Sequence, residues 1–391
     1  MAQLHRRQVL TGLSSAALAG LLAGEHRAQS RSADGDGRLI SLPFASGEGG
    51  YSCYRTPGLA VSELGTVLAF CGGRVDNCRD EGNIDVLLRR SSDGGRSWGP
   101  LQVIANDGPN PCKIPLPVVL PGGRILLLWL WNASVARKAD RDNRHVRLSV
   151  SDDDGRSWAP ARDITNQVRR PGWKPWYGIG PGHGIVKQLE PAAGRIVVPA
   201  RHSARGQGSA SHLLLSDDGG QSWRVGAIAG YRPSSECAVA ELGDGSLMLN
   251  SRSGGQRVVS ISRDGGETMI SSGPDPQLIE PANGCQASLL TYAYGAAGQA
   301  TLLFANPADP LYRTNGRLRL SRDNGRRWSR GFGYGQGLGS FSGYSDLARF
   351  ANGDVALLVE AGASYQKVRG GDRRHDGIAF QRIPFALVAQ A

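Results

Sequence analysis

Ser91-Ser92-Asp93-Gly94-Gly95-Arg96-Ser97-Trp98 is the stretch that decides the fold, because its pattern Ser-x-Asp-x-Gly-x-x-Trp recurs along the chain. Further copies begin at Ser151, Ser216 and Ser321, and a degenerate copy begins at Ser262, with Met269 at the tryptophan position. The copies start 46 to 65 residues apart, a spacing typical of one supersecondary unit per copy.

Each copy, called a box below, follows a strand-like apolar run such as Asp85-Val86-Leu87-Leu88. An Asp beside Gly accepts hydrogen bonds from nearby backbone amides, and Gly takes the positive φ that a tight turn requires. The Trp supplies apolar area that fixes the turn. The boxes are therefore predicted to be β-hairpin turns that belong to the scaffold and not to an active site.

The composition suits a large core with many turns, since the 391 residues include 55 glycines and 21 prolines and are 40% hydrophobic. Length alone suggests two or three domains. The repeat favours one domain that enlarges its core by adding units.

The boxes resemble the Asp boxes of the sialidases and other β-propeller proteins, and this resemblance covers residues 39–391. Dividing that range by a repeat of about 58 residues gives six blades of four strands. The resemblance thus implies an all-β fold, a six-bladed β-propeller in which five boxes serve six blades. A β-sandwich and a β-helix array are the alternatives.

Residues 1–30 are predicted to be a twin-arginine-type signal peptide, because Arg6-Arg7 precedes a mildly apolar run from Gln8 to Gly24. This run falls short of the roughly 20 strongly apolar residues that a membrane span needs. We expect export to the periplasm or the medium without stable membrane insertion. A disordered basic N-terminus is the alternative.

The formal net charge of +11 favours an anionic partner. The sequence shows no helix-turn-helix, no zinc knuckle and no run of five Lys or Arg residues, and its arginines are scattered singly. Single anion contacts are therefore expected, and nucleic acid is not.

Six cysteines are present without a Cys-x-x-Cys pair, so no metal site is predicted. Cys71 and Cys78 are near enough in sequence to bridge a loop in an oxidising compartment. Buried free thiols are the alternative.

Three arginines are candidates for a carboxylate clamp, a task for which the planar guanidinium fork is suited. Tyr54-Arg55-Thr56-Pro57 resembles the Arg-Ile-Pro motif of sialidases, with Thr56 in place of Ile, and implies that Arg55 is the first. The same resemblance implies Arg252, after Leu249-Asn250-Ser251, as the second and Arg313 as the third. Arg317 and Arg319 are interpreted as strand-surface charges.

The polar loop from Arg74 to Asp85 resembles the sialidase loop that carries the general acid/base. Asp80, nine residues before Arg89, matches that position, and Asp76 is the alternative on the same loop. Arg74 matches a family arginine beside the substrate carboxylate.

Tyr344, in Tyr344-Ser345-Asp346, resembles the family's nucleophile, an exception among glycosidases to the usual pair of carboxylates. A phenol has a pKa near 10 and needs a base. The resemblance makes Glu236 that base and Glu360 the buried carboxylate that orients Arg55.

The Gly-rich segment Gly178 to Gly184 is not expected to cradle phosphate, because a strand, Ile185-Val186, follows where such a loop needs a helix. The family has a similar Gly-Pro-Gly-His segment. It implies that Trp176 or Tyr177 lines the pocket for the glycerol side chain of the substrate, with plain packing as the alternative.

Together these residues predict an exo-acting, retaining α-sialidase that removes terminal sialic acid from glycoproteins, glycolipids and oligosaccharides. We expect a monomer that needs no metal or cofactor. A sialic-acid-binding propeller without turnover is one alternative. Transfer of sialic acid to another sugar and release of an anhydro product are the others.

Overall fold

The computed structural model describes residues 30–31, 37–133, 143–335, 341–362 and 375–391. Its strands form six antiparallel sheets around a common axis, which confirms the predicted all-β, six-bladed β-propeller. Residues 1–29 of the predicted signal peptide lie outside the described residues, so that segment stays a prediction.

The first three blades run in chain order. Blade 1 contains β3 (Cys53–Val61), β4 (Val67–Arg74), β5 (Ile84–Ser91) and β6 (Gln102–Ala105). Blade 2 contains β7 (Cys112–Val119), β8 (Ile125–Asn132), β9 (Arg144–Ser151) and β10 (Arg162–Asp163). Blade 3 contains β11 (Trp173–Ile179), β12 (Ile185–Val186), β13 (Ile196–Ala204), β14 (Gly208–Ser216) and β15 (Arg224–Ile228).

The other three blades complete the ring. Blade 4 contains β16 (Cys237–Glu241), β17 (Leu247–Ser251), β18 (Gln256–Ser262) and β19 (Ser271–Ile279). Blade 5 contains β20 (Ser288–Tyr294), β21 (Ala300–Pro307), β22 (Gly316–Ser321) and β23 (Phe332–Gly333). Blade 6 contains β24 (Phe341–Arg349), β25 (Val355–Gly362), β26 (Gly377–Ile383), β2 (Leu39–Ala45) and β1 (Ser30–Arg31). In the part of the chain that the structure describes, two short helices, α1 (Thr165–Val168) and α2 (Phe385–Ala389), lie outside the sheets.

Blade 6 closes the ring with strands from two distant parts of the chain. Its inner strands β24, β25 and β26 come last in sequence, and β2 pairs with β26, with Leu39 opposite Arg382. Its third and fourth strands are therefore not joined by a hairpin. Since every box occupies the hairpin between the third and fourth strands of a blade, this closure explains why five boxes serve six blades.

The core is a ring of apolar clusters that lie between adjacent blades. Between blades 1 and 2, for example, Leu68 and Phe70 pack with Ile125 and Leu127. Both faces of each sheet are thus buried, which explains why strands such as Ile125–Asn132 have continuous apolar runs instead of alternating patterns.

The boxes have the predicted hydrogen bonds. The amides of Arg96 and Ser97 both donate to Asp93 Oδ1 at 2.9 Å, and the Ser91 hydroxyl donates to the same oxygen at 2.7 Å. The degenerate copy retains this arrangement, because the amides of Glu267 and Thr268 donate to Asp264 at 3.0 Å.

The boxes also join neighbouring blades. Gly95, at φ 91°, lies so close to blade 6 that a Cβ there would be 2.0 Å from the Phe380 ring. Trp98 contacts the same ring edge to face at 5.3 Å. A box therefore stabilises both its own turn and the contact with the preceding blade.

Boxes and functional candidates occupy opposite ends of the strands. In blade 1 the register aligns Cys53 with Arg74 at one end, and Val67 with Val61 and Ser91 at the other. Ser91 begins the box, whereas Arg55 and Arg74 lie at the far end. The candidate site is thus remote from the boxes.

Candidate functional site

Backbone irregularities re-aim the inner strands at the site. The register shifts between Arg55 and Gly58 in β3, and between Ser342 and Ser345 in β24. Thr56 has φ 57°, a conformation that is rare for a β-branched residue. Bulges of this kind redirect side chains, and here they bring Arg55 and Tyr344 together.

Tyr344 lies among the three predicted clamp arginines. The Arg55 and Arg313 guanidinium carbons are 5.6 Å and 5.2 Å from the centre of its ring. Arg252 Nη1 donates to Tyr344 Oη at 3.3 Å. The structure thus brings the predicted triad to one point, although its members lie in blades 1, 4 and 5.

Arg313 is held in the site, whereas its two neighbours point elsewhere. Arg313 Nη2 donates to the Gly284 carbonyl at 3.2 Å. Arg317 donates to the Gly331 carbonyl at 3.1 Å, and Arg319 to Asn306 Oδ1 at 3.1 Å. These contacts agree with the assignment of Arg313 as the clamp residue.

Glu236 forms the closest contact of the Tyr344 hydroxyl. Tyr344 Oη donates to Glu236 Oε1 at 2.5 Å, and both residues are 6% exposed. Glu236 Oε2 accepts from Arg252 at 2.8 Å, and Arg201 Nη1 lies 3.0 Å from Oε1. The carboxylate is therefore placed to receive the phenolic proton.

Glu360 is fully buried and connects blades 1 and 6. It accepts hydrogen bonds from Arg55 Nε at 3.3 Å, from the Thr56 amide at 2.9 Å and from the Tyr344 amide at 3.1 Å. Burial alone would raise the pKa of Glu360, but Arg55 and His375 lower it. One carboxylate thus positions both Arg55 and Tyr344.

Asp346, the acidic residue of the Tyr-Ser-Asp motif, connects several blades. It is fully buried and accepts hydrogen bonds from the Leu59 amide at 2.8 Å and from the Ser288 hydroxyl at 3.0 Å. His183 Nδ1 lies 2.7 Å from Asp346 Oδ1, the oxygen that also accepts from Ser288. Asp346 therefore joins blade 6 to blades 1, 3 and 5.

Asp80 lies on the β4–β5 loop beside the arginines. Its Oδ1 is 2.7 Å from Arg74 Nη2 and 3.5 Å from Arg55 Nη1, and its side chain is 67% exposed. Partial enclosure would raise the pKa of Asp80, but Arg74 and Arg55 together hold it well below its usual range. Asp76, the alternative, is exposed at the start of the same loop.

A disulfide between Cys53 and Cys78 ties this loop to β3. Of the two alternatives that the sequence left open for Cys71, a bridge to Cys78 is therefore wrong, and a buried free thiol is present. Cys71 is a buried free thiol in the middle of β4, with its side chain in the core between blades 6 and 1. Cys53 aligns with Arg74, where the loop begins, and so lies at the end of the sheet that Cys78 reaches.

The two aromatic candidates, Trp176 and Tyr177, differ in their burial. Tyr177 is 1% exposed and its hydroxyl contacts the Val168 carbonyl at 2.9 Å and His212 Nε2 at 2.7 Å, so it packs in the core and does not line the pocket. Trp176 is half-buried, with the guanidinium carbons of Arg144 and Arg201 at 4.7 Å and 5.2 Å from its ring.

Sequence reasoning missed two buried cations, Arg201 and Lys113. Arg201 is 5% exposed, and burial lowers its pKa. Lys113 is also 5% exposed, and its Nζ donates to the Asp80 carbonyl at 2.8 Å. A charged residue beside an apolar or proline-containing stretch of a buried strand was the available signal for both.

The site is rich in positive charge and can bind an anion next to a tyrosine and two carboxylates. Within the described residues, no group of three or more His, Cys, Asp or Glu side chains is arranged to hold a metal ion. The same part of the chain has no helix long and apolar enough to cross a membrane.

Comparison with known proteins agrees with this geometry. The model of the BNR repeat-like domain family matches residues 65–357. A sialidase of Micromonospora viridifaciens is 31% identical over 81% of this chain, which spans about half (51%) of that relative's length. An exo-alpha-sialidase of Arthroderma benhamiae is 28% identical over a region that covers 88% of this chain and 86% of that relative's length. The structure of the Hadza microbial sialidase Hz136 superposes with a TM-score of 0.76 at 26% identity, covering 90% of this chain and 69% of that one.

Proposed function

The chain belongs to the sialidase family of glycoside hydrolases, and from this premise we propose that it is a retaining exo-α-sialidase. Its substrates would be the terminal sialic acids of glycoproteins, glycolipids and oligosaccharides. The observation that carries the proposal is the 2.5 Å hydrogen bond from Tyr344 to Glu236 in the middle of three arginines.

The arginines explain why a phenol suits this task. A sialic acid carries a carboxylate on its anomeric carbon, and Arg55, Arg252 and Arg313 would bind it with their planar forks. A carboxylate nucleophile would approach that negative charge and be repelled. The neutral Tyr344 avoids the repulsion and gains its negative charge only as Glu236 removes the proton.

The first step forms a bond between Tyr344 Oη and the anomeric carbon. Glu236 takes the phenolic proton, and Asp80 gives a proton to the glycosidic oxygen as its bond to the anomeric carbon breaks. In the second step water attacks the anomeric carbon and passes a proton to Asp80. The bond to Tyr344 breaks, and Glu236 returns the proton to the phenolate. Two inversions at the same carbon retain the configuration.

Substrate binding would prepare Asp80 as an acid. In the free protein Arg55 and Arg74 keep this carboxyl ionised, which is the wrong state for donating a proton. A substrate carboxylate bound to Arg55 adds a negative charge near Asp80. It also competes with Asp80 for the Arg55 guanidinium. The pKa of Asp80 then rises from its depressed value, which makes protonation of this carboxyl easier when the substrate is in place.

Product analysis on sialyl-lactose tests the proposal. Free sialic acid, released first as the α-anomer by proton NMR, is expected. A transferred sugar or an anhydro sugar would identify one of the other enzymatic outcomes. Binding without any product would identify a sialic-acid-binding propeller.

Leaving-group dependence tests the role of Asp80. We expect Asp80→Ala to lose ~10²–10⁴-fold of its activity on sialyl-lactose, and much less on an aryl sialoside whose leaving group needs no proton. Equal losses on both substrates would refute the assignment. A selective loss in Asp76→Ala instead would move the role to Asp76.

We also propose that the protein is exported through the twin-arginine route. Arg6-Arg7 supports this proposal, as does the Cys53–Cys78 disulfide, because disulfides persist in oxidising compartments. Replacing both arginines by Lys should retain the full-length chain inside the cell. Unchanged export of a chain shortened by about 30 residues would contradict it. The monomeric state stays a prediction that size-exclusion chromatography tests.

A further inference from the structure

Lys113 occupies in blade 2 the position that Arg55 occupies in blade 1. Arg55-Thr56-Pro57 lies near the start of β3, and Lys113-Ile114-Pro115 lies near the start of β7. The middle residue of each triplet has φ 57°, and each strand shifts register there. Two adjacent inner strands thus use the same backbone irregularity to direct a cation towards one end of the ring.

The two cations reach Asp80 from different sides. Arg55 Nη1 is 3.5 Å from the carboxylate of Asp80, whereas Lys113 Nζ donates to its main-chain carbonyl at 2.8 Å. Residues 79–81 of the loop are exposed, and the Cys53–Cys78 disulfide and a hydrogen bond from Arg74 Nε to the Arg79 carbonyl anchor the chain only as far as the residue before Asp80. A hydrogen bond from a buried cation is therefore a strong constraint on the main chain at this residue.

The surroundings of Lys113 disfavour its charged form. Burial and the nearby Arg144 lower the pKa of Lys113 to about 7, and Arg74 acts in the same direction. Asp80 and Glu81 oppose this effect. An apolar residue would fill this part of β7 at a lower electrostatic cost, which indicates that the ammonium group serves the contact with Asp80.

We propose that Lys113 is a positioning residue for the general acid, which it holds through the Asp80 main chain while Arg74 and Arg55 hold the carboxylate. This inference rests on the proposed function, in which Asp80 protonates the leaving oxygen. It assigns Lys113 no contact with the reacting atoms. Its loss should therefore resemble a weakened form of the loss of Asp80.

Steady-state kinetics of Lys113→Met on sialyl-lactose and on an activated aryl sialoside test the inference. We expect kcat/KM on sialyl-lactose to fall by ~10–10²-fold, the cost of a misplaced catalytic group, with a much smaller fall on the aryl substrate. Lys113→Arg should recover part of the loss, because it keeps a charged donor. In the double variant with Asp80→Ala, the Lys113 change should cost nothing further on sialyl-lactose.

Lys187→Met is the control, since Lys187 is another buried lysine; it donates to the Gly245 carbonyl at 2.6 Å and also pairs with Glu241 Oε1 at 2.5 Å, away from Asp80. Its loss should affect both substrates equally. If Lys113→Met does not fold, Lys113→Gln provides a polar replacement for the same measurements.

Equal losses on both substrates, or losses that add to those of Asp80→Ala, would overturn the inference while leaving the proposed function intact. A wild-type protein that turns over neither substrate would overturn both. Thermal unfolding of every variant separates loss of fold from loss of position.

Discussion

The two ends of the blades differ in the sequence separation of the contacts that hold them together. At the box end, the Asp93 carboxylate accepts hydrogen bonds from amides and hydroxyls two to four residues away. At the other end, the contact between Arg55 and Glu360 spans 305 residues and that between Tyr344 and Glu236 spans 108. Short-range contacts make the box a self-contained turn, whereas the site exists only when the ring is assembled. Substitutions should therefore divide into those that affect stability and those that affect activity.

Tyr344→Phe should give the largest separation of the two ends. The change removes the nucleophile and its hydrogen bond to Glu236 but keeps the ring packed between arginines. We expect kcat on either substrate to fall by at least ~10³-fold, as when other hydrolases lose a nucleophile, with an unfolding temperature close to that of the wild type. Activity near the wild-type level would exclude Tyr344 as the nucleophile.

Arg313→Lys should weaken binding of free sialic acid by ~10–10²-fold, because it removes hydrogen bonds to a charged group. The fold should be unaffected. Isothermal titration calorimetry measures the effect, with Arg317→Lys as the control that binds normally. If Arg317→Lys weakens binding and Arg313→Lys does not, the third clamp arginine is Arg317.

Binding of free sialic acid should strengthen as the pH falls through the raised pKa that Asp80 has in the complex, by up to about tenfold per pH unit. The ligand carboxylate raises the pKa of Asp80 from its depressed value in the free protein, so the complex binds more protons in this range. Calorimetry in buffers of different ionisation enthalpy should detect proton uptake. Asp80→Asn should abolish both effects, and uptake that persists in that variant would assign it to another group.

Gly284→Ala tests how closely the clamp is packed. A Cβ at Gly284, which has φ 69°, would lie 2.3 Å from Arg252 Nε. Arg252 would have to move, and we expect KM to rise about tenfold. Gly122→Ala is the control, since Gly122 has φ 88° but nothing within 4 Å of its Cβ position. An equal KM in both variants would show that Arg252 tolerates the displacement.

Asp153→Asn, in the second box, should leave kcat/KM unchanged and lower the unfolding temperature by only ~1–4 °C. Hydrogen bonds from the Ser157 side chain and amide lower the pKa of Asp153 to about 2. The carboxylate therefore stabilises the fold above the unfolded pKa of about 3.9, and loses this effect as the pH falls towards 2. The difference from the wild type should shrink over that interval. A loss of activity at neutral pH would show that the two ends are coupled.

The sequence predicted the boxes and the blade number because both rest on contacts within a few residues and on a repeat. The family resemblance selected Arg55, Glu236 and Tyr344, which the structure brings together at one end of the ring. It could not show that Tyr177 turns into the core, because neighbouring residues in an irregular strand face opposite ways and only the surrounding packing selects between them. The pairing of Cys53 with Cys78 likewise depends on the register of β3 and β4.

Lys113 and Arg201 were missed for a related reason. The partner of each residue is far away in sequence. Lys113 contacts a residue 33 positions earlier, and Arg201 contacts Glu236 in the next blade. Distant pairs of this kind are visible only after the blades have been arranged around the axis.

The closure of blade 6 has a consequence for the timing of activity. The strands that carry Tyr344 and Glu360 share their sheet with β2, which precedes blade 1 in the chain, and with β26, which follows all five other blades. A growing chain that has completed five blades already holds Arg55, Asp80, Glu236 and the other arginines. We expect it to be inert, because its nucleophile is ordered only when β26 joins the first and last parts of the chain. Activity should therefore appear only after β26 has been synthesised.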